Sequence, residues 1–134
     1  MVLRGVVALA FMAHALVRLV NGSVPQFGAF LERCGLPQGV ALVYAISAVE
    51  LVGGSLLVLG LCVRTACVAL GAIVVGGVAL IHVHNGWFVG EHGVGGMEYS
   101  ALLVAALFVL AAADDHRTLH TLPERADAMT PPQG

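Results

Sequence analysis

Four long apolar segments, separated by short stretches of polar, glycine and proline residues, make up most of the chain. They cover about residues 2–20, 40–62, 66–84 and 97–113. A helix that crosses a bilayer needs roughly 20 mostly apolar residues, and each segment is close to that length. The sequence therefore predicts an all-α fold, a four-helix transmembrane bundle over residues 1–113, followed by a charged, partly disordered C-terminal tail at 114–134.

The connection between the first two apolar segments has a helical period of its own. Pro25 and Pro37 bound it, and between them apolar side chains recur at i, i+3, i+4 and i+7. These are Phe27, Phe30, Leu31 and Cys34. The spacing predicts a short amphipathic helix that lies in the membrane interface between helices 1 and 2 of the bundle.

Glycine and other turn-forming residues predict the conformation of the two remaining connections between spans. Gly60–Thr65 is predicted to be a tight turn that carries Arg64 between the second and third spans. Residues 85–96 form a glycine-rich loop in which Trp87 and Phe88 are predicted to anchor the chain at the interface. His82 and His84, two positions apart, point in different directions on a helix, so no metal site is predicted there.

The composition excludes several classes of protein. The chain has 134 residues, of which 59% are hydrophobic and only 10% are charged, with a mean hydropathy of +0.95. Soluble domains are about 25% charged, so an integral membrane protein in contact with the lipid bilayer is predicted. The net charge is −2, and all six basic residues are arginines spread along the chain. This distribution gives no basic patch for a nucleic acid.

The three cysteines form no CxxC pair. Cys62 and Cys67 flank the predicted turn, and small apolar packing residues are the favoured interpretation. The redox state of these two thiols is left open by the sequence.

The arginines predict an orientation. With four spans, both termini lie on one side of the membrane, and the opposite loops carry only Arg33, with Arg18 at the boundary. The side that holds the termini carries four arginines, Arg4, Arg64, Arg117 and Arg125. The positive-inside rule then predicts a multi-pass protein with cytoplasmic termini.

Glu50 is the only formal charge inside the second span. A carboxylate at the centre of a spanning helix costs on the order of 2.5–3.5 kcal/mol, so another group must compensate it. Ser47, Glu50 and Gly54 share one helix face, with Gly53 at its edge, and small residues let a neighbouring helix approach. Glu50 is therefore predicted to face the interior, where it has either a structural hydrogen bond or a role in ligand binding or proton transfer.

Five ionisable residues fall in the same half of the predicted bundle. They are His14, Arg18, Glu50, His82 and Glu98. A shared internal cluster is predicted, in which Arg18 neutralises Glu50 or Glu98 while His14 and His82 are hydrogen-bond partners. Pairing offsets the desolvation of isolated ions, and histidine exchanges protons near neutral pH. Tyr99 and Asn85 are additional candidates.

An ordered set of short motifs in the chain resembles the DoxX family of membrane proteins. The set consists of His14-x-x-x-Arg18, Gly35-Leu36-Pro37, Glu50-x-x-Gly53-Gly54, Gly60-Leu61-x-x-Arg64, His82 with Asn85-Gly86, and Gly95-Gly96-x-Glu98-Tyr99. The resemblance covers roughly residues 4–113. It implies a compact four-helix transmembrane fold and an association with membrane redox assemblies, including the small subunit of thiosulfate–quinone oxidoreductases.

Two functional hypotheses follow. In the first, the protein is a DoxX-like subunit, in the inner (cytoplasmic) membrane, of a quinone-linked or thiol-linked redox assembly. Its polar cluster binds a quinone head group or relays protons to it. No flavin, haem or metal motif is visible, so electrons would come from a partner protein, and the chain is at most an accessory subunit of an oxidoreductase. In the second, the protein is a non-catalytic scaffold or anchor whose polar cluster is structural. The sequence leaves a homo-oligomer open.

Overall fold

The structure, a computed structural model, describes residues 1–81, 86–88 and 96–128, with side chains as far as Asp114. This part of the chain contains five helices and no strand. The helices are α1 (Val2–Val20), α2 (Val24–Arg33), α3 (Gly39–Leu59), α4 (Val63–Leu80) and α5 (Glu98–Ala128). The all-α fold is confirmed. The amphipathic segment after the first span is a helix, as predicted, and becomes α2.

Three of the helices are long and apolar enough to cross a membrane. They are α1, α3 and α4, and only 22–33% of the residues in their most apolar windows are buried inside the protein. Large apolar side chains such as Leu9, Val52 and Val68 point outward. Because this outward surface needs a non-aqueous solvent, the chain is a multi-pass membrane protein in contact with lipid. A fourth span, on α5, stays a prediction.

Four helices share one core. Buried residues of α1, α3, α4 and α5 form a single apolar cluster. Its members are Val7, Ala8, Phe11, Leu57, Val63, Ala66, Cys67, Leu70, Val74 and Leu107. In this arrangement α1 packs on α3, α3 on α4, α4 on α5, and α5 makes a smaller contact with α1.

The α3–α4 turn is shorter than the sequence indicates. At the end of α3 the N–H of Leu61 donates to the carbonyl of Leu56, and the N–H of Gly60 donates to that of Leu57. This is the double hydrogen bond of a Schellman motif, in which Gly60 adopts a φ of +73°. Since the turn is complete within three residues, α4 begins at Val63, and Arg64 lies in its first helical turn rather than in the loop.

The backbones of α2 and α3 touch. A Cβ atom on Gly39 would overlap the carbonyl group of Gly28, and one on Gly28 would lie 2.7 Å from the backbone nitrogen of Val40. The Gly39 N–H also donates to Glu32 Oε1 at 3.0 Å. Glycine at both positions therefore lets α2 lie directly against the start of α3.

The start of α5 is fixed by backbone contacts with residues 86–88. The N–H of Glu98 donates to the carbonyl of Trp87, and the N–H of Met97 donates to that of Gly86. The rings of Trp87 and Phe88 are exposed, as expected of interface anchors. α5 continues as a helix to Ala128, and the division into a domain at 1–113 and a tail at 114–134 stays a prediction.

Candidate functional site

A cavity of about 470 Å³ lies between the helices toward the C-terminal end of α1. All five helices contribute to its wall, and most of the lining side chains are apolar. The polar exceptions are few and lie on three helices. They are His14, Arg18, Glu50, Tyr99 and Ser100.

Arg18 and Glu50 form a salt bridge at this cavity. The Arg18 Nη1 atom lies 2.8 Å from Glu50 Oε2, and Nη2 lies 3.4 Å from Oε1. The two side chains are 9% and 4% exposed. Two parallel N–H···O contacts between a guanidinium and a carboxylate fix the relative orientation of both groups as well as neutralising them.

Two further residues hold the Arg18 guanidinium in place. Nη1 also donates to Ser47 Oγ at 2.8 Å, while the Ser47 hydroxyl donates to the Val43 carbonyl at 2.9 Å. On the other side, the guanidinium carbon lies 5.4 Å from the centre of the Phe27 ring, within the range of a cation–π contact. Residues of α1, α2 and α3 thus define one position for the charged group.

Close packing of α1 against α3 sets this geometry. A Cβ on Gly54 would lie 2.6 Å from Met12 Cγ and 3.2 Å from the Ala8 carbonyl oxygen. Because Gly54 lies one helical turn after Glu50, its contact with α1 places the Glu50 side chain on the α1-facing side of α3. α1 and α3 run in opposite directions, so Arg18 near the end of α1 reaches Glu50 near the middle of α3.

The pair is electrically neutral and retains hydrogen-bonding capacity. A guanidinium carries five N–H donors, and three are used by Ser47 and Glu50. Among the described residues, no acceptor is found for the other two. The site therefore offers N–H donors at the wall of an apolar cavity without offering it a net charge.

The outcome for the other predicted site residues is mixed. His14 lies on the cavity wall with its side chain exposed, and no hydrogen bond joins it to Arg18 or Glu50. Tyr99 also lines the cavity and is half exposed. Glu98 is partly buried at the start of α5 and is not part of the cavity wall. His82 and Asn85 lie outside the described residues, so the shared His/Arg/Glu cluster stays a prediction beyond its Arg18–Glu50 pair.

Two contributors were not anticipated as site residues. The sequence places Phe27 only on the apolar face of α2, whereas in the structure its ring lies over the Arg18 guanidinium. Ser100 was not singled out, and it is buried at the cavity wall. Arg18 lies in the last turn of α1 and only six residues before Val24, the first residue of α2, so the proximity of α2 to Arg18 is a usable signal for Phe27. The sequence holds no comparable signal for Ser100.

No group of three or more histidine, cysteine, aspartate or glutamate side chains is placed to bind a metal ion in the described part of the chain. The three cysteines are free thiols, Cys67 being buried and the other two exposed.

Comparison with known proteins identifies one family. The family model named DoxX matches residues 1–85, a range that includes α1 to α4 and both members of the salt bridge. No curated protein matches the chain, and neither does any solved structure.

Proposed function

Because the chain belongs to the DoxX family, we propose that it is a membrane subunit of a quinone-linked redox assembly and that the Arg18–Glu50 cavity binds the quinone head group. The observation that carries this proposal is the neutral ion pair with unused Arg18 donors at the wall of an apolar cavity. The volume, about 470 Å³, falls within the range of roughly 300–1,000 Å³ usual for small-molecule sites.

The charge of the site favours a neutral ligand. Glu50 already balances Arg18, so an anion bound beside them would leave an uncompensated negative charge in a low-dielectric environment, which is costly. A quinone carbonyl is a neutral acceptor and matches the remaining Arg18 N–H groups. The flat, apolar ring of the head group matches the mostly apolar cavity wall.

Proton transfer gives the pair a second use. Reduction of a quinone to a quinol takes up two electrons and two protons. In this proposal the electrons come from a partner subunit, and residues of this chain deliver protons to the quinone oxygen. Glu50, a carboxylate hydrogen-bonded to Arg18 beside the cavity, can accept a proton and pass it on, and the His14 imidazole on the cavity wall has both a donor and an acceptor nitrogen for the same purpose.

The second candidate function is a structural scaffold, and it is favoured by the burial of Glu50 and by its two contacts with Arg18. The carboxylate is buried and accepts two contacts from Arg18, which links α1 to α3 and, through Phe27, to α2. Such a pair also serves a protein that binds no small molecule, since one polar interaction can fix how helices pack.

Quinone content of the purified protein separates the two functions. Protein is purified from native membranes in mild detergent, and the quinone in its lipid extract is quantified per mole of protein. We expect close to one quinone in the wild type and a loss of at least tenfold in the double variant Arg18→Met/Glu50→Leu. That variant removes both charges together, which often leaves stability unchanged or raises it. Wild-type protein without quinone above the bulk-lipid level would favour the scaffold.

A second variant fills the cavity and leaves the ion pair in place. Gly77 lines the cavity, and a Cβ there would meet nothing within 4 Å, so Gly77→Leu has room for its side chain. We expect it to exclude quinone while the melting temperature stays close to that of the wild type. The matched control is Gly5→Leu, because Gly5 has the same open surroundings on α1 and does not line the cavity. Equal quinone content in both variants would contradict the proposed site.

A further inference from the structure

A second cavity, of about 660 Å³, adjoins the first. The two share the side chains around the guanidinium, namely Ala10, His14, Arg18, Phe27, Ile81 and Tyr99. The second cavity adds Ala13, Val17 and Ser23. Both cavities therefore reach Arg18, the first from inside the helix bundle and the second from its side.

The second cavity lies on the flank of α1 that is next to α5. Ala10, Ala13, His14 and Val17 are spaced i, i+3, i+4 and i+7 and so share one face of α1. Tyr99, in the first turn of α5, forms the opposite edge. α1 contacts α5 less extensively than it contacts α3, which leaves room between the two helices here. Among the described residues, the edges of this gap are exposed: Val17 is 57% and Tyr99 is 51% exposed.

The inner part of the gap, along Ala10 and Ala13, lies at the depth of the hydrocarbon. α1 is a spanning helix that ends at Val20, so at roughly 1.5 Å per residue Ala13 lies about 10 Å inside that end. The outward neighbours on the same stretch of α1, Leu16 and Val20, are large, apolar and exposed. A molecule in the inner part of this gap is therefore bordered by acyl chains, while Ser23, beyond the end of α1, lines the outer part.

We propose that the second cavity is a lateral opening between α1 and α5 through which the ligand passes from the bilayer to Arg18. The ligand class that fits both cavities is a neutral carbonyl head group with a long apolar chain. The head group accepts hydrogen bonds from Arg18, while the chain lies along Ala13 and Val17 with its far end in lipid. This inference rests on the proposed function, since it concerns how the quinone reaches the same site.

The opening explains features that a closed site would not need. The α1 face along the gap carries alanines at positions 10 and 13, which leave space for a chain beside the backbone. Tyr99 presents an amphipathic ring at the edge, and such rings pack well against apolar chains while the hydroxyl keeps a polar partner.

The test compares two ligands and two variants. The ligands are a benzoquinone with a long prenyl chain and the same head group without a chain, each radiolabelled, offered in lipid–detergent micelles to protein first depleted of quinone. The variant Ala13→Phe narrows the gap without touching Arg18 or Glu50. The control Leu16→Phe adds a ring to the neighbouring exposed surface of α1, which lines neither cavity.

We expect Ala13→Phe to slow uptake of the long-chain quinone at least tenfold and to change uptake of the chain-free head group less than threefold. Leu16→Phe should leave both rates within twofold of the wild type. If both ligands bind the wild type and Ala13→Phe slows neither, or slows both equally, the lateral opening is wrong and the head-group site stands. If neither ligand binds the wild type, the proposed function itself fails.

Discussion

Arg18 and Glu50 meet through two atoms of each side chain, although 32 positions separate them in the sequence. This contact joins the last turn of α1 to the middle of α3, and both side chains are almost fully buried. Because neither charge has bulk water beside it, each depends on the other. The consequences of breaking the contact therefore differ from those of removing both charges.

Glu50→Gln should destabilise the protein and abolish quinone-dependent turnover of the assembly without preventing membrane insertion. The substitution leaves a buried guanidinium without its counter-charge, a change that costs roughly 3–5 kcal/mol in buried pairs. Thermal unfolding in detergent and the amount of protein in the membrane fraction measure the two structural effects. Unchanged turnover in this variant would count against a role for Glu50 in quinone chemistry.

Ser47 and Ser55 offer a matched pair on one helix. Both hydroxyls donate to the carbonyl four residues earlier, but only Ser47 also accepts a hydrogen bond from Arg18. A hydrogen bond to a charged group contributes about 1.5–3 kcal/mol. We therefore expect Ser47→Ala to lower the melting temperature clearly and the exposed Ser55→Ala to change it little. Equal shifts in the two variants would show that the Arg18–Ser47 contact adds nothing to stability.

Gly39→Ala should loosen α2 from α3. The added methyl group would overlap the Gly28 carbonyl, and forced displacement in packed regions costs roughly 1–3 kcal/mol. Limited trypsin digestion at the exposed Arg33 of α2 should become faster. Gly5→Ala is the control, since its methyl group meets nothing within 4 Å and replaces a helical glycine at a gain of up to about 1 kcal/mol. Digestion at the wild-type rate in Gly39→Ala would contradict the close approach of the two helices.

The three cysteines report the orientation of α3. Cys34 and Cys62 are exposed and lie beyond opposite ends of α3, and Cys67 is buried. α3 has 21 residues and is therefore about 31 Å long at roughly 1.5 Å per residue. With cytoplasmic termini, a membrane-impermeant maleimide should label Cys34 in right-side-out vesicles and Cys62 in everted ones. Cys67 should react in neither until the protein is denatured. Labelling of Cys34 and Cys62 from the same side would contradict a spanning α3.

The apolar pattern predicted the helices well because bilayer length and helical period act on each segment separately. The predicted first span agrees with α1 at both ends, and the segment between Pro25 and Pro37 contains α2. The bounds of α3 and α4 differ by one to four residues from the predicted spans 40–62 and 66–84. There the left-handed conformations of Gly60 and Cys62 end one helix and begin the next within a single short turn.

The part of the candidate site that depends on charge pairing could be predicted from the sequence. A buried carboxylate needs a cation, and Arg18 was the cation at the right depth, so the contact with Glu50 was foreseeable even though Glu98 was an equal alternative. Contacts that depend on how each helix is rotated about its axis were not foreseeable. Phe27 over the guanidinium and His14 on the cavity wall without a bond to the pair are examples.

The separation of Arg18 and Glu50 along the chain also determines the order in which the two charges become available during synthesis. α1 leaves the ribosome first, and another 32 residues must be made before the Glu50 carboxylate of α3 is available to Arg18. We expect the arginine to stay near the headgroups until then, since a long charged side chain close to a helix end readily reaches them. Insertion of α3 is thus the step that draws the cation inward, so a nascent chain truncated before Glu50 should hold α1 closer to the aqueous boundary than the finished protein does.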